Sequence, residues 1–129
     1  MTAIELSATS LDLGVLLGDW HNTNAEGGIA RIVCRAGDDG RIDVQCWGRS
    51  GADGMKDWGT VAARTYSFSF ESRQAGAFNA VFDLGGEEEV RVQANVKAGV
   101  LVVASFNRIL DRSGRTSYFD REFFHRVSK

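Results

Sequence analysis

The side chains best suited to chemistry fall into three small sets. The first joins His21, near the start of the chain, to Arg121 and His125 near its end. Imidazoles titrate near neutral pH and a guanidinium is a fixed cation, so together they can hold an anionic or polar ligand head or move a proton. The second set is Glu88 with Arg108, an opposite-charge pair able to orient a ligand. The third is Trp47, just before the glycine-rich stretch Arg49–Gly59, and Trp58, at its far end. Aromatics beside a flexible loop can form the lip of a pocket. Each set also has a plainer reading. His21 is then exposed and Arg121 merely closes one end of the fold. Glu88 and Arg108 become a self-satisfied rim ion pair, worth about 0–1 kcal/mol. Trp58 becomes core, and Trp47 covers an outer surface or an oligomer contact.

The other polar clusters point away from metals and nucleotides. Asp38, Asp39 and Asp43, and separately Asp53 and Asp57, lack the spacing of a calcium-binding EF-hand loop and fit turns instead. Neither Ser113-Gly114 nor Gly51–Gly54 is followed by the Gly-Lys-Ser/Thr of a phosphate loop. Cys34 and Cys46 are too few, with too few histidines nearby, for a zinc site. No metal or cofactor is expected. A chain of 129 residues suits one domain with one core. With 43% hydrophobic and 25% charged residues it has ordinary globular composition. The net charge of -2 comes with scattered Lys and Arg, so no basic stripe suggests a nucleic-acid partner. No apolar run reaches the length of a membrane span, and Met1–Thr9 lacks the basic and apolar regions of a signal peptide. The expectation is a cytoplasmic protein with reduced cysteines.

What must position the candidate groups is a set of strands. Fifteen glycines, no proline and many short apolar segments predict an all-β chain. Ser10–Leu17 is predicted as a short helical turn, with Ser10 as N-cap and Gly18 as stop, plugging one barrel end. Strands are predicted at Trp20–Thr23, Ile29–Arg35, Arg41–Gly48, Thr60–Phe70, Ala77–Leu84, Glu88–Val96, Val100–Leu110 and Ser117–Val127. Mostly short links between them predict an eight-stranded antiparallel up-and-down β-barrel.

Facing residues on paired strands point the same way, so the turns predict which side chains meet. Across Gly37–Gly40, Cys34 is set against Ile42, Ile32 against Val44 and Ala30 against Cys46, all inward. The cysteines are then four ladder positions apart, roughly 13 Å. A disulfide needs Cα atoms within about 7 Å, so no bridge is expected, and core-facing thiols are poor nucleophiles. Across Gly85-Gly86, Leu84 meets Glu88 and Phe82 meets Val90, which turns Phe78, Ala80, Phe82 and Leu84 inward. One strand earlier, Phe70, Phe68 and Tyr66 are set against Phe78, Ala80 and Phe82. A three-residue loop at Lys97-Ala98-Gly99 sets Val96 against Val100 and Val90 against Phe106. Leu101, Val103 and Ile109 then point outward, as an oligomer contact or a seat for the N-terminal segment. Phe106 opposite Phe119 turns Ser117, Phe119, Arg121, Phe123, His125 and Val127 inward on the last strand. The opposite choice puts Asp120, Glu122 and Arg126 inside, at a larger desolvation cost.

Leu17-Gly18-Asp19-Trp20 resembles the Gly-x-Trp opening of lipocalin-like (calycin) barrels. With His21-Asn22 it also resembles the Gly-x-Trp-x-Asn start of avidin-type barrels. Gln45–Gly59, with Trp47-Gly48 and Asp57-Trp58-Gly59, is similar to a group of small bacterial barrel domains. The resemblance implies one lipocalin-like β-barrel domain over residues 1–129. It also implies an arginine near the chain end, Arg126 or Arg121, packed across Trp20. Such barrels bind small, mostly apolar ligands and avidins bind biotin, although avidin's later biotin contacts have no match here.

Together these readings give an expected ligand-binding set of Trp20, Arg121, His125, Glu88, Arg108, Trp47 and Trp58. The leading expectation is non-covalent binding of a small apolar or amphipathic molecule in a barrel cavity. The first alternative is a barrel isomerase or cyclase using Arg121, His125 or Glu88 for proton transfer. The second is an interaction or structural protein whose barrel is filled by its own phenylalanines, as eight-stranded barrels allow. A second copy of the chain is the expected protein partner. The size of the interior space separates these readings, since ligand cavities begin near about 300 Å³.

Overall fold

Alternation of apolar and polar residues is clearest in the middle of the chain, and there the strands follow it closely. A computed structural model describes residues 11–51 and 54–129; Met1–Thr9, Ser10 and Asp53, named in the sequence analysis, lie outside the described residues. The strands are β1 (Gly18–Asn22), β2 (Ile29–Ala36), β3 (Ile42–Ser50), β4 (Gly54–Ser67), β5 (Ala75–Asp83), β6 (Glu88–Lys97), β7 (Val100–Ile109) and β8 (Tyr118–Ser128). Each is antiparallel to the next, and β8 pairs back onto β1, closing an eight-stranded up-and-down barrel. On β5 and β6, Phe78, Ala80, Phe82, Val90, Val92 and Ala94 are buried, while Asn79, Asp83, Arg91 and Gln93 face out. Phe82 pairs with Val90 as the Gly85-Gly86 turn predicts.

The predicted helical turn is not a helix. Leu16 and Leu17 both donate to the Leu13 carbonyl, at 2.9 and 3.2 Å, closing one turn only. The Asp12 carboxylate takes the Gly14 N–H at 2.9 Å, a local bond that competes with helix continuation. Asp12 itself bridges to Gln74. The segment still plugs the barrel, because Leu16 is fully buried.

Three registers differ from expectation. The β2–β3 pairing is offset by two residues, with Cys34 opposite Val44 and Ile32 opposite Cys46. Asp39 and Gly40, at φ 56° and 74°, take the left-handed positions of the turn, and Gly37 donates to the Arg41 carbonyl at 2.9 Å. The inward face is kept, but the cysteines stand two ladder positions apart rather than four; both are free and buried. A bulge between Ile29 and Arg31 brings Ile29 into the packed core cluster, with Ala30 buried beside it.

On β4 the aromatics turn outward. β4 pairs with β3 right up to the Ser50–Gly54 hairpin, and Thr65, not an aromatic, faces Phe78. Tyr66 and Phe68 are exposed, Phe70 is 95% exposed, and Phe68 lies over Gly76, where any side chain would collide with its ring.

The largest correction is a one-residue slip. The β6–β7 loop has two residues, Ala98 and Gly99, with φ of 51° and 79°. That is the positive-φ pair of a tight type I′ hairpin, and it sets Lys97 against Val100. A one-residue slip exchanges the two faces of a strand. Leu101 and Val103 are therefore core, not outer surface, and Phe106 faces out. β8 follows, since Leu101 pairs with Phe124 and Asn107 with Tyr118. Phe124 becomes core, while Phe119, Arg121, Phe123 and His125 belong to the outer wall.

Candidate functional site

One end of the barrel is shut. Trp20, fully buried at the middle of β1, donates its indole N–H to the Leu16 carbonyl at 3.0 Å. Arg126 of β8 lies over the Trp20 ring, its guanidinium carbon 4.7 Å from the centroid, and donates to the Val15 carbonyl. Gly18, at φ 139°, passes so close to β8 that a Cβ there would sit 2.6 Å from the Ser128 carbonyl oxygen. The arginine implied to cover Trp20 is therefore Arg126 and not Arg121.

Outside this end runs a surface chain of polar groups. Arg31 grips Asp19 with two hydrogen bonds of 2.8 Å and stacks 4.5 Å over Trp47. The hydrogen bonds from Arg31 hold the Asp19 carboxyl below the usual carboxylate range. His21 lies 3.2 Å from Asp19 on the other side, and its ring meets His125 edge-on at 6.3 Å. The two histidines do come together as predicted, but on the outer wall. Arg121 is also outside, over Phe123 at 5.9 Å. Nearby, Phe106, Phe119 and Phe123 are 42%, 56% and 47% exposed, forming an apolar stripe on β7 and β8.

The opposite end is open. It holds a cavity of about 370 Å³ above the filled core. Its deepest polar lining is Ser105 and Asn107 of β7, each only 6% exposed. The Asn107 amide nitrogen donates to Ser105 Oγ at 3.1 Å. Trp58, Ile29 and Leu84 supply apolar lining. A bulge in β4 opposite Gln45–Trp47 lets Trp58 lie over Gly48, where the missing side chain makes room, and puts its ring 5.9 Å from Phe82. Trp58 thus fits both of its readings, packed against core and lining the cavity, whereas Trp47 fits the outer-surface one.

The charges of the cavity come from several strands. Lys56 of β4 and Arg49 of β3 line one side; Glu88 of β6 and Asp120 of β8, with Glu87 from the β5–β6 turn, line another. Arg115 also reaches the cavity but is paired with Asp111 at 3.1 Å. Burial, and then the negative charges of Glu88 and Asp120, push the Tyr118 phenol up from its ordinary value. Glu88 and Arg108, expected to face each other, are parted by the slip. Arg108 pairs with Glu89 on the outer wall at 3.5 Å, while Glu88 sits opposite Ile109.

Of the seven residues proposed from sequence, Glu88 and Trp58 line the cavity. Ser105, Asn107, Tyr118 and Asp120 are missing from the sequence-based set because the slip places them on the wrong face, and Lys56 because its stretch reads as loop. A two-residue Ala98-Gly99 turn, read from the start, brings Ser105 and Asn107 inward. Burial pushes the Cys34 thiol up to about 12 and the Cys46 thiol upward too, which leaves both unreactive. Among the described residues no cluster of three or more His, Cys, Asp or Glu could hold a metal ion.

No family model matches this chain, and no curated protein matches it in sequence. The fold defines its class: an all-β, eight-stranded antiparallel closed barrel, consistent with a calycin-like fold.

Proposed function

We propose that this protein is a lipocalin-like binding module that holds a small amphipathic molecule non-covalently in the open end of its barrel. The observation that carries the reading is the cavity of about 370 Å³ standing above a filled core. Small-molecule sites range from about 300 to 1,000 Å³, with mostly apolar walls and a few placed polar groups. Here Trp58, Leu84 and Ile29 give the apolar contact and Ser105 and Asn107 give fixed hydrogen-bonding groups, but charged side chains make this lining more polar than that of most such sites, which favours an amphipathic over a purely apolar ligand. The Gly18-x-Trp20 opening under a stacked Arg126 adds support for the lipocalin-like assignment. The isomerase or cyclase reading keeps only Glu88 of its three acid–base groups at the cavity. The side-chain-filled reading suits the closed half of the barrel alone.

Native mass spectrometry of protein purified from its own host tests the reading, with Asn107→Leu as a variant that fills the cavity floor. A bound small-molecule mass is expected on the wild type and not on the variant, provided the variant unfolds at a similar urea concentration. Wild-type protein that is free of ligand throughout, or a mass the folded variant keeps, overturns it.

A further inference from the structure

The unpaired charges of the cavity are sorted by wall. Lys56 on β4 and Arg49 at the end of β3 are on one side; Asp120 on β8, Glu88 at the start of β6 and Glu87 just before it are on the other. In the closed strand order β4 and β8 stand four strands apart, half the circumference, so Lys56 and Asp120 belong to opposite sides of the mouth. Among the described residues no salt bridge crosses between the two sides. Other charges near this end are already engaged: Arg115 with Asp111, Arg108 with Glu89. Arg49 donates Nε to the Gly27 carbonyl at 2.9 Å, which fixes its position without neutralising it.

Opposite charges that share a cavity and do not meet leave a gap with a defined polarity. Water can fill it. A ligand whose own charges match both walls gains two charge-assisted contacts at once, stronger than neutral hydrogen bonds. Singly charged molecules satisfy one wall and leave the other facing their apolar end. Trp58 and Tyr118 flank the space between, so a flat or aliphatic spacer is accommodated. Ser105 and Asn107 on the floor are neutral and do not select a charge. Carboxylates outnumber the unpaired cations, so the cationic end of the ligand is the stronger determinant.

We propose that the ligand is a small rod-shaped zwitterion, lying across the mouth with its ammonium group toward Glu88 and Asp120 and its carboxylate toward Lys56 and Arg49. This rests on the cavity-binding reading and narrows it from an amphipathic molecule to one charged at both ends.

Four probes of nearly equal shape test it by titration calorimetry at low ionic strength: para-(aminomethyl)benzoate, para-methylbenzylamine, para-methylbenzoate and the neutral para-xylylene glycol. The zwitterion is expected to bind about tenfold tighter than either singly charged probe, with the amine second and the glycol weakest. Lys56→Gln should bring the zwitterion down to the level of the amine, and Glu88→Gln should bring it toward the acid. A glycol that binds as tightly as the zwitterion, or a singly charged probe that equals it, overturns the proposal while leaving small-molecule binding intact. No heat from any of the four also overturns it, and the host-ligand mass measurement then decides separately whether the cavity binds anything.

Discussion

The two ends of this barrel are made by the same eight strands, yet they treat polar side chains in opposite ways. At the closed end Trp20 finds a carbonyl for its N–H and an arginine for its ring, and Arg126 is spent on that ring and on Val15. At the open end Lys56, Glu88 and Asp120 line one cavity without joining one another. The difference separates groups whose partners lie inside the protein from groups that, on the proposed reading, would meet a ligand. Groups that partner inside the protein are there for stability; groups that share a cavity and stay apart are available to something else.

Substitutions can break that contrast. The largest effect is expected from Trp20→Ala, which empties the plug and should cost about 3–5 kcal/mol in urea unfolding. Next comes Arg126→Ala, which removes a partly buried cation–π contact and a charged hydrogen bond. A loss of about 2–3 kcal/mol is expected, whereas Arg121→Ala on the outer wall should change stability by no more than about 0.5 kcal/mol. Equal losses for the two arginines would erase the assignment of Arg126 as the plug residue.

Asp19 gives a smaller, pH-dependent effect. Its carboxyl is held below the usual carboxylate range, chiefly by the Arg31 hydrogen bonds. A lowered folded pKa contributes stability that is complete above the unfolded value and lost as pH falls through the folded one. Asp19→Asn should therefore be less stable than wild type at pH 6, by about 1 kcal/mol given the partial exposure of the pair. That gap should close as thermal melts are taken below the ordinary carboxylate pKa. A gap that stays constant into acid would mean that Arg31 does not act on Asp19 through charge. The smallest effect belongs to the open end, where Glu88→Gln and Asp120→Asn should shift stability by no more than about 0.5 kcal/mol. A large loss from either would show a structural partner that the cavity reading denies.

The barrel itself was legible because β5 and β6 alternate cleanly and Gly85-Gly86 leaves one sensible turn. The site was not, and the reason lies in β7. From Val100 to Phe106 its residues are apolar on both faces apart from Ser105, so the hydrophobic pattern cannot choose a side. The choice fell to turn chemistry, where Ala98 accepts a positive φ normally left to glycine. Desolvation then misdirected β8, because it priced Asp120 and Glu122 as if the whole interior were dry. Asp120 in fact lines the open cavity, and Glu122 is half-buried within 3.4 Å of the Asn24 amide in the loop after β1. Trp20 stands out in the sequence because its Gly-x-Trp signature is local. Ser105 and Asn107 carry no such signature, and only the strand register reveals them.

The three tryptophans occupy three separate surroundings: Trp20 in the sealed plug, Trp47 under a guanidinium on the outer wall, and Trp58 at the cavity. The protein therefore carries its own optical instrument. With Trp47 and Trp20 changed to Phe, the remaining indole emits from the mouth and would report any ligand that enters it, while a chain keeping Trp20 alone reports the integrity of the seal. Filling and unfolding can be followed as two colours of the same intrinsic light, with no dye attached.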